Sequence, residues 1–321
     1  MSNKVHLQGI DCLKILLCYL VILGHLFQMA NIQQTSGGGY FIYSFHMPLF
    51  CCISGYFFYG KQYVFKDYLI NKFRQLIIPC LTWGAILACY DYFIAGRSVI
   101  ALIKDYILFD LWYLKSLFCI LIICFPLLQI RKKYLVLLYV LFLVIAGIGF
   151  GGVLLLALQI PAFLFGYFFH GYEIYSKNYS KKAKIFFLIL SFSIFFVELL
   201  VVHPSINVNQ LNMLRTFLSI TDYYNYIHRV ILALSGSFFL FVLFKDFVGN
   251  YLNSDTIVDM GRYTLGIYIV QSIIVERLSL TVIESICVFY YIPYAICALL
   301  LCYMTCKLIC ISNKLNWTIG L

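Results

Sequence analysis

The sequence predicts an all-α, polytopic membrane helix bundle of about ten transmembrane helices, and three observations carry that prediction. Of 321 residues, 63% are hydrophobic and only 11% are charged, where a soluble domain carries roughly 25% charged residues. The mean hydropathy is +0.93. The apolar residues also gather in stretches of about 20, the length a helix needs to cross the hydrocarbon core of a bilayer.

Taken in order, the expected spans cover about 10–30, 40–60, 76–95, 111–130, 134–150, 152–172, 185–203, 226–247, 263–280 and 289–311. The first is long and carries charges, so it reads as a span rather than a cleavable leader. The fifth and sixth meet at a glycine-rich turn, Gly147 to Gly152. The ninth is the weakest, because Glu276 and Arg277 interrupt it. No soluble domain, linker or internal repeat stands out, so residues 1–321 are expected to form a single transmembrane domain. The 13 cysteines lie within or beside the apolar stretches. Cys302, Cys306 and Cys310 repeat at helical spacing with no histidine or carboxylate nearby, which points to packing rather than a metal site.

Orientation follows from the basic residues. If the N-terminus is cytoplasmic, 16 Lys and Arg fall on the inner side and 6 on the outer, with Lys14 inside a span completing the 23. Such a bias places both termini in the cytoplasm. It also accounts for the net charge of +10 without a nucleic-acid partner.

Within the first span, Asp11, Lys14 and His25 stand out, since an ionisable group inside an apolar helix is costly. At about 100° and 1.5 Å per residue, Lys14 and His25 share one stripe, about 20° apart in azimuth and roughly 16 Å apart along the axis. Asp11 and Lys14 could also be snorkelling anchors, and His25 a hydrogen-bonded bundle histidine. His46, on the neighbouring antiparallel span, reaches a similar depth. Pro48 follows it and is expected to bend that helix. His46 can be a helix–helix hydrogen-bonding group or take part in chemistry directly. Glu198 has no local partner on its helix, so it is expected to point inward, toward a histidine. Asp91, Asp222, His228, Arg229 and Arg215 fall near the outer ends of their spans. They could serve an acceptor sugar or face water, and the longest outer connection, His203 to Asn225, lies beside them.

A basic residue, ten intervening residues and a histidine on the first helix, here Lys14 and His25 after Ile10-Asp11, resemble the signature of the acyltransferase-3 family of integral membrane O-acyltransferases, with lysine where arginine is usual. Four further stretches carry the resemblance. Ser44-Phe45-His46-Met47-Pro48-Leu49-Phe50, continuing to Ser54-Gly55-Tyr56, is similar to a run on the family's second helix. Lys72-Phe73-Arg74 leading into Leu76-Ile77-Ile78-Pro79 is similar to its basic segment, and Leu111-Trp112-Tyr113-Leu114 to a short aromatic element. Gly261 through Gln271 is similar to a late run, with Gln271 where a histidine is common.

The resemblance implies an acyl-CoA donor, most often acetyl-CoA, bound from the cytoplasm by Asp11, Lys14, Lys72 and Arg74. The implied acceptor is a sugar hydroxyl of an envelope glycan or its lipid-linked precursor, and the location the inner cell membrane. Acyl transfer to oxygen needs a base for the hydroxyl proton. A histidine, with an ordinary pKa near 6.5, suits that role. His25 is the expected base, with His46 beside it. A glycan or lipid-linked-sugar transporter or flippase would share the basic inner face, but would be expected to show repeats and broken helices. A glycan polymerase or ligase would be expected to carry a larger outer loop. The topology is open to cysteine-accessibility labelling: Asn178→Cys and Asn313→Cys are expected to label only from the cytoplasm, and Ser36→Cys only from outside. Labelling of positions 36 and 178 from one face would remove the common depth of His25 and His46.

Overall fold

A computed structural model describes residues 8–30, 37–100, 102, 106, 110–130, 132–149, 155–176, 180–202, 220–251, 254–278, 288–312 and 314–321. Ser36, Asn178, Asn313, Arg215 and the greater part of the connection from His203 lie outside the described residues, as does the end of the glycine turn after Gly149. The side chain of Asp222 is likewise outside them.

Eleven principal helices follow one another, with no strand among the described residues. They are α1 (Gln8–Met29) and α2 (Gly37–Phe58), α3 (Phe65–Phe93), α4 (Trp112–Ile123), α5 (Lys133–Gly149) and α6 (Leu156–Tyr175). α7 (Lys181–Val202), α8 (Ile220–Val242), α9 (Asp255–Arg262), α10 (Thr264–Ile274) and α11 (Tyr291–Ile311) complete the set. Each expected span overlaps a helix. Among the described residues, six helices are long and apolar enough to cross a membrane: α1, α3 and α11 whole, most of α2 and α7, and Tyr226–Phe247, which begins within α8. The chain is therefore a multi-pass membrane protein, with six such helices where ten spans were expected. α4 and α10 are shorter apolar helices. At 11 residues, α10 spans about 16 Å, about half the hydrocarbon thickness. It ends just before Glu276 and Arg277.

Burial separates the centre of the bundle from its rim. The apolar window of α1 is 61% buried and that of α2 is 72% buried, whereas that of α7 is 11% buried. α1 contributes to all three apolar clusters of the core: Val21 to one, Cys18 and Ile22 to a second, Leu13 and Leu17 to the third. Cys302 and Cys306 fill the second cluster, the packing role expected of them. On α7 and α5, Phe186, Leu200, Leu137 and Leu138 face outward, as a surface solvated by lipid requires.

Lipid tails are as apolar as leucine, so helices in a bilayer associate through close packing and polar contacts rather than hydrophobic burial. The α2–α6 contact shows the first of these. A Cβ on Gly55 would stand 2.0 Å from the Phe163 carbonyl oxygen, and one on Gly166 would stand 2.0 Å from that of Cys52. The two backbones touch because neither glycine has a side chain. α2 continues through Pro48 to Phe58.

α1 and α2 run antiparallel. Leu13 and Leu17 share a cluster with Ile53 and Tyr56, and Ile22 and Leu26 share one with Ile42. The end of the bundle that holds Lys14 thus also holds the close of α2 and the lysines after it. The C-terminal turn packs at this end, with Gly320 against the Gln75 carbonyl and Ile319 against Gly266. Two π-helical stretches interrupt the α geometry, Phe73–Ile77 within α3 and Leu243–Phe247 after α8. Gly166→Val is expected to lower the thermal unfolding midpoint in detergent, because overfilling a tight contact costs about 1–3 kcal/mol or more. An unchanged midpoint would show that α2 and α6 do not hold this separation.

Candidate active site

Two sets of side chains, one at the lysine end and one toward the histidines, gather around α1. At the lysine end, Lys14 Nζ lies 2.6 Å from Asp11 Oδ1, one helical turn earlier. It also donates to the Gly261 carbonyl at 3.1 Å. Gly261 closes α9 where the chain turns into α10, and Thr264 Oγ1 donates to the same carbonyl at 3.1 Å. A Cβ on Gly261 would stand 2.6 Å from the Asp11 Cβ. Only glycine lets the late segment come down on the first helix at this point.

Lys14 borders a cavity of about 290 Å³ between α1, α2, α3, α4 and α10. Lys61 and Lys72 line it as well, together with Tyr63, Tyr68 and Gln75. Lys72 Nζ donates to Gln75 Oε1 at 2.7 Å and lies 5.8 Å from the Tyr68 ring centroid. Three ammonium groups thus surround one mouth, a setting that attracts phosphate. Arg74 sits inside the π-helical stretch, is exposed, and is absent from the lining. Asp11 is absent from the lining too and reaches the cavity only through Lys14. Lys61, which the sequence shows only as a loop charge, is part of it.

At the histidine end, His25 Nε2 faces Glu276 Oε1 at 3.5 Å. That distance is long for a hydrogen bond and within ion-pair range. Glu276 is held from both sides. Gln271 Nε2 donates to Oε1 at 3.0 Å, and Arg277 Nη1 donates to Oε2 at 2.9 Å. Arg277 is itself fixed by Asp91 Oδ2 at 3.3 Å and Asp110 Oδ1 at 3.1 Å. The carboxylate therefore meets His25 from a rigid platform. The carboxylate lies close enough to favour positive charge on the His25 ring.

His46 is buried, and its Nδ1 lies 2.7 Å from the Ile42 carbonyl oxygen. A carbonyl only accepts, so Nδ1 carries the proton and the free lone pair is on Nε2. Tyr43 ties the two histidine helices together. Its ring lies edge-on to His46 at 5.1 Å between centroids, its hydroxyl donates to Gln28 on α1 at 3.3 Å, and Gly24, next to His25, abuts it. The two histidines thus stand on adjoining turns of neighbouring helices.

The other polar residues divide. Glu198 meets His228 Nδ1 at 2.7 Å, so it does turn toward a histidine. Arg229 is buried and donates from Nη2 to the Tyr43 carbonyl at 2.7 Å. Asp91 pairs instead with Arg97 and Arg277, so the group expected at the outer ends separates into two. Tyr113 is buried and lines the cavity, whereas an interfacial belt would leave its ring exposed to headgroups. A further buried network, Lys245 with Glu173 and Tyr56 Oη donating to Glu173 at 2.7 Å, joins α2, α6 and the π-helical stretch after α8.

Sequence reasoning missed Glu276 as a site residue. The available signal was the one that singled out His25: an ionisable group in an apolar stretch.

The profile of the acyltransferase domain of the acyltransferase-3 family matches residues 7–307. Two curated relatives are each described as a nodulation protein NolL. The one from Sinorhizobium fredii is 40% identical over 84 residues, 24% of this chain and 23% of that protein. The one from Mesorhizobium japonicum is 41% identical over 80 residues, 23% of this chain and 21% of that protein. The matched segments thus span less than a quarter of either relative's length. No solved structure matches the chain.

The Lys14 contacts predict an asymmetry among variants. Lys14→Ala removes one cation from the buried Asp11 carboxylate, at a cost below the about 3–5 kcal/mol of breaking a fully buried pair, because Lys14 is a quarter exposed. The double variant Asp11→Ala/Lys14→Ala is expected to unfold at a higher temperature than Lys14→Ala alone, and Lys14→Arg to retain stability. Equal midpoints for the single and double variants would show that the pair contributes nothing.

Proposed function

The chain belongs to the acyltransferase-3 family, and from that premise we propose that it moves an acyl group, most simply acetyl, from acyl-CoA to a sugar hydroxyl of an envelope glycan or lipid-linked precursor. The observation that carries this reading is the cavity at Lys14, Lys61 and Lys72; His25, His46 and Glu276 stand outside its lining, farther along the helices that form it. The phosphates of the donor occupy the lysine mouth, which the basic bias of the loops assigns to the cytoplasm. The pantetheine arm follows the apolar wall, and the thioester reaches toward the histidines. Asp11 acts through Lys14, whose ammonium it fixes at the rim of the cavity. Arg74 lies outside the cavity wall, so any part it plays is to attract the donor rather than to enclose it.

In the reaction, the base accepts the acceptor's hydroxyl proton as that oxygen attacks the thioester carbonyl carbon. The tetrahedral oxyanion collapses, the carbon–sulfur bond breaks, and the imidazolium returns the proton to the departing thiolate. The products are an ester and CoA. His25 is the assigned base, with the Glu276 carboxylate 3.5 Å from its Nε2. Glu276 would hold the ring and stabilise the imidazolium, as a carboxylate does behind a catalytic histidine. Its own geometry would depend on Gln271 and Arg277. His46 stands close enough to support the same centre.

Membranes supplied with radiolabelled acetyl-CoA are expected to form alkali-labile labelled glycan. A transporter or a polymerase would form none. On purified variants, His25→Ala is expected to lower kcat by roughly 10²–10⁴ with donor affinity little changed. Lys72→Ala is expected to raise KM for acyl-CoA, since it removes binding shared by ground and transition states. A His25→Ala protein that transfers acyl groups at a near wild-type rate would move the assignment to His46.

A further inference from the structure

We propose that three aromatic side chains, Phe50, Tyr113 and Tyr268, end the donor cavity and hold the transferred group to two carbons, an inference that rests on reading this cavity as the acyl-CoA pocket. Each comes from a different helix, and each is the lining residue farthest from the lysine mouth on its own helix. On α2 the lining runs from Phe58 back to Phe50, on α4 from Leu121 back to Tyr113, and on α10 from Thr264 on to Tyr268. At 1.5 Å per residue these are about 12, 12 and 6 Å of depth. Lys61 and Lys72 stand at the opposite mouth. His46 follows one turn beyond Phe50 on α2, about 6 Å farther along.

The three rings pack on one another. Phe50 and Tyr113 have centroids 5.9 Å apart at 46°, and Tyr113 meets Tyr268 edge-on at 5.7 Å and 71°. Tyr113 is 5% exposed and Tyr268 8% exposed. The Cys51 thiol lies 3.9 Å from the Tyr113 hydroxyl. Tyr113 and Tyr268 are buried against their neighbours, while Phe50 is half-buried and borders the cavity directly. The wall below them is aliphatic at Leu117 and Leu121, which suits the pantetheine arm. A methyl group beyond the thioester carbon fits against the rings, and a longer chain meets them. Pockets of this kind discriminate by roughly 10–200-fold for each added methylene.

The test is displacement of labelled acetyl-CoA by butyryl-CoA from the purified protein, which needs no acceptor. Wild type, Phe50→Ala and Phe50→Leu are compared, the leucine variant preserving more of the packing in case the alanine variant fails to fold. The wild type is expected to bind acetyl-CoA at least tenfold more tightly than butyryl-CoA. Phe50→Ala is expected to reduce that ratio about tenfold or more, and Phe50→Leu to fall between. Equal wild-type affinities for the two thioesters, or a ratio unchanged in both variants while acetyl-CoA still binds, overturns the inference and leaves the donor pocket standing. Failure of the wild type to bind either thioester overturns the donor reading, and this inference with it.

Discussion

Inside a membrane bundle there is little water to solvate a charge, so every ionisable side chain must find its partner in the protein. That constraint organises this chain. Lys14 is held between Asp11 and the Gly261 carbonyl, and Glu276 between His25, Gln271 and Arg277. Glu198 takes His228, and Glu173 takes Lys245. Because Gly261, Glu276, His228 and Lys245 meet partners on other helices, satisfying the charges also fixes which helices are neighbours. The arrangement that removes an energetic cost is the one that assembles the candidate site.

The two principal charge sets are not equivalent. The lysine set borders an open cavity, where cations remain available to an anionic ligand. The histidine set is built outward in layers, from His25 to Glu276, then to Arg277, then to Asp91 and Asp110. Each layer fixes the one before it. This suits a group whose orientation must not drift, whereas long lysine side chains suit phosphates that arrive from solvent and leave again.

Much of this was legible in the sequence, and the parts that were not share a cause. Helical character and membrane insertion follow from composition and the length of the apolar stretches. Asp11, Lys14 and His25 lie on one helix, where periodicity relates them directly. The nearness of His46 to the first helix needed only the antiparallel course of two consecutive spans. Glu276 escaped because its partner is at the other end of the chain, and no periodicity connects residues on different helices. Lys72 and Arg74 read as equivalent in a basic loop, but they lie on one helix, where two residues are about 200° apart, so Lys72 lines the cavity with Tyr68, Gln75 and Leu76 and Arg74 does not. The ninth apolar stretch is short because α10 stops after three turns, just before Glu276 and Arg277.

The clasp on Lys14 has a consequence for biosynthesis. Its two partners are three residues and 247 residues away in the chain. At about 5–20 residues per second, α1 has left the ribosome roughly 10–50 s before Gly261 is made. Throughout that interval the first helix carries its ammonium without the carbonyl that completes the site, and the Asp11 carboxylate is its near neighbour. The early pair thus acts as a temporary internal counterion that lets α1 wait in the bilayer, and the arrival of α9 and α10 turns a nascent anchor into the centre of the finished bundle.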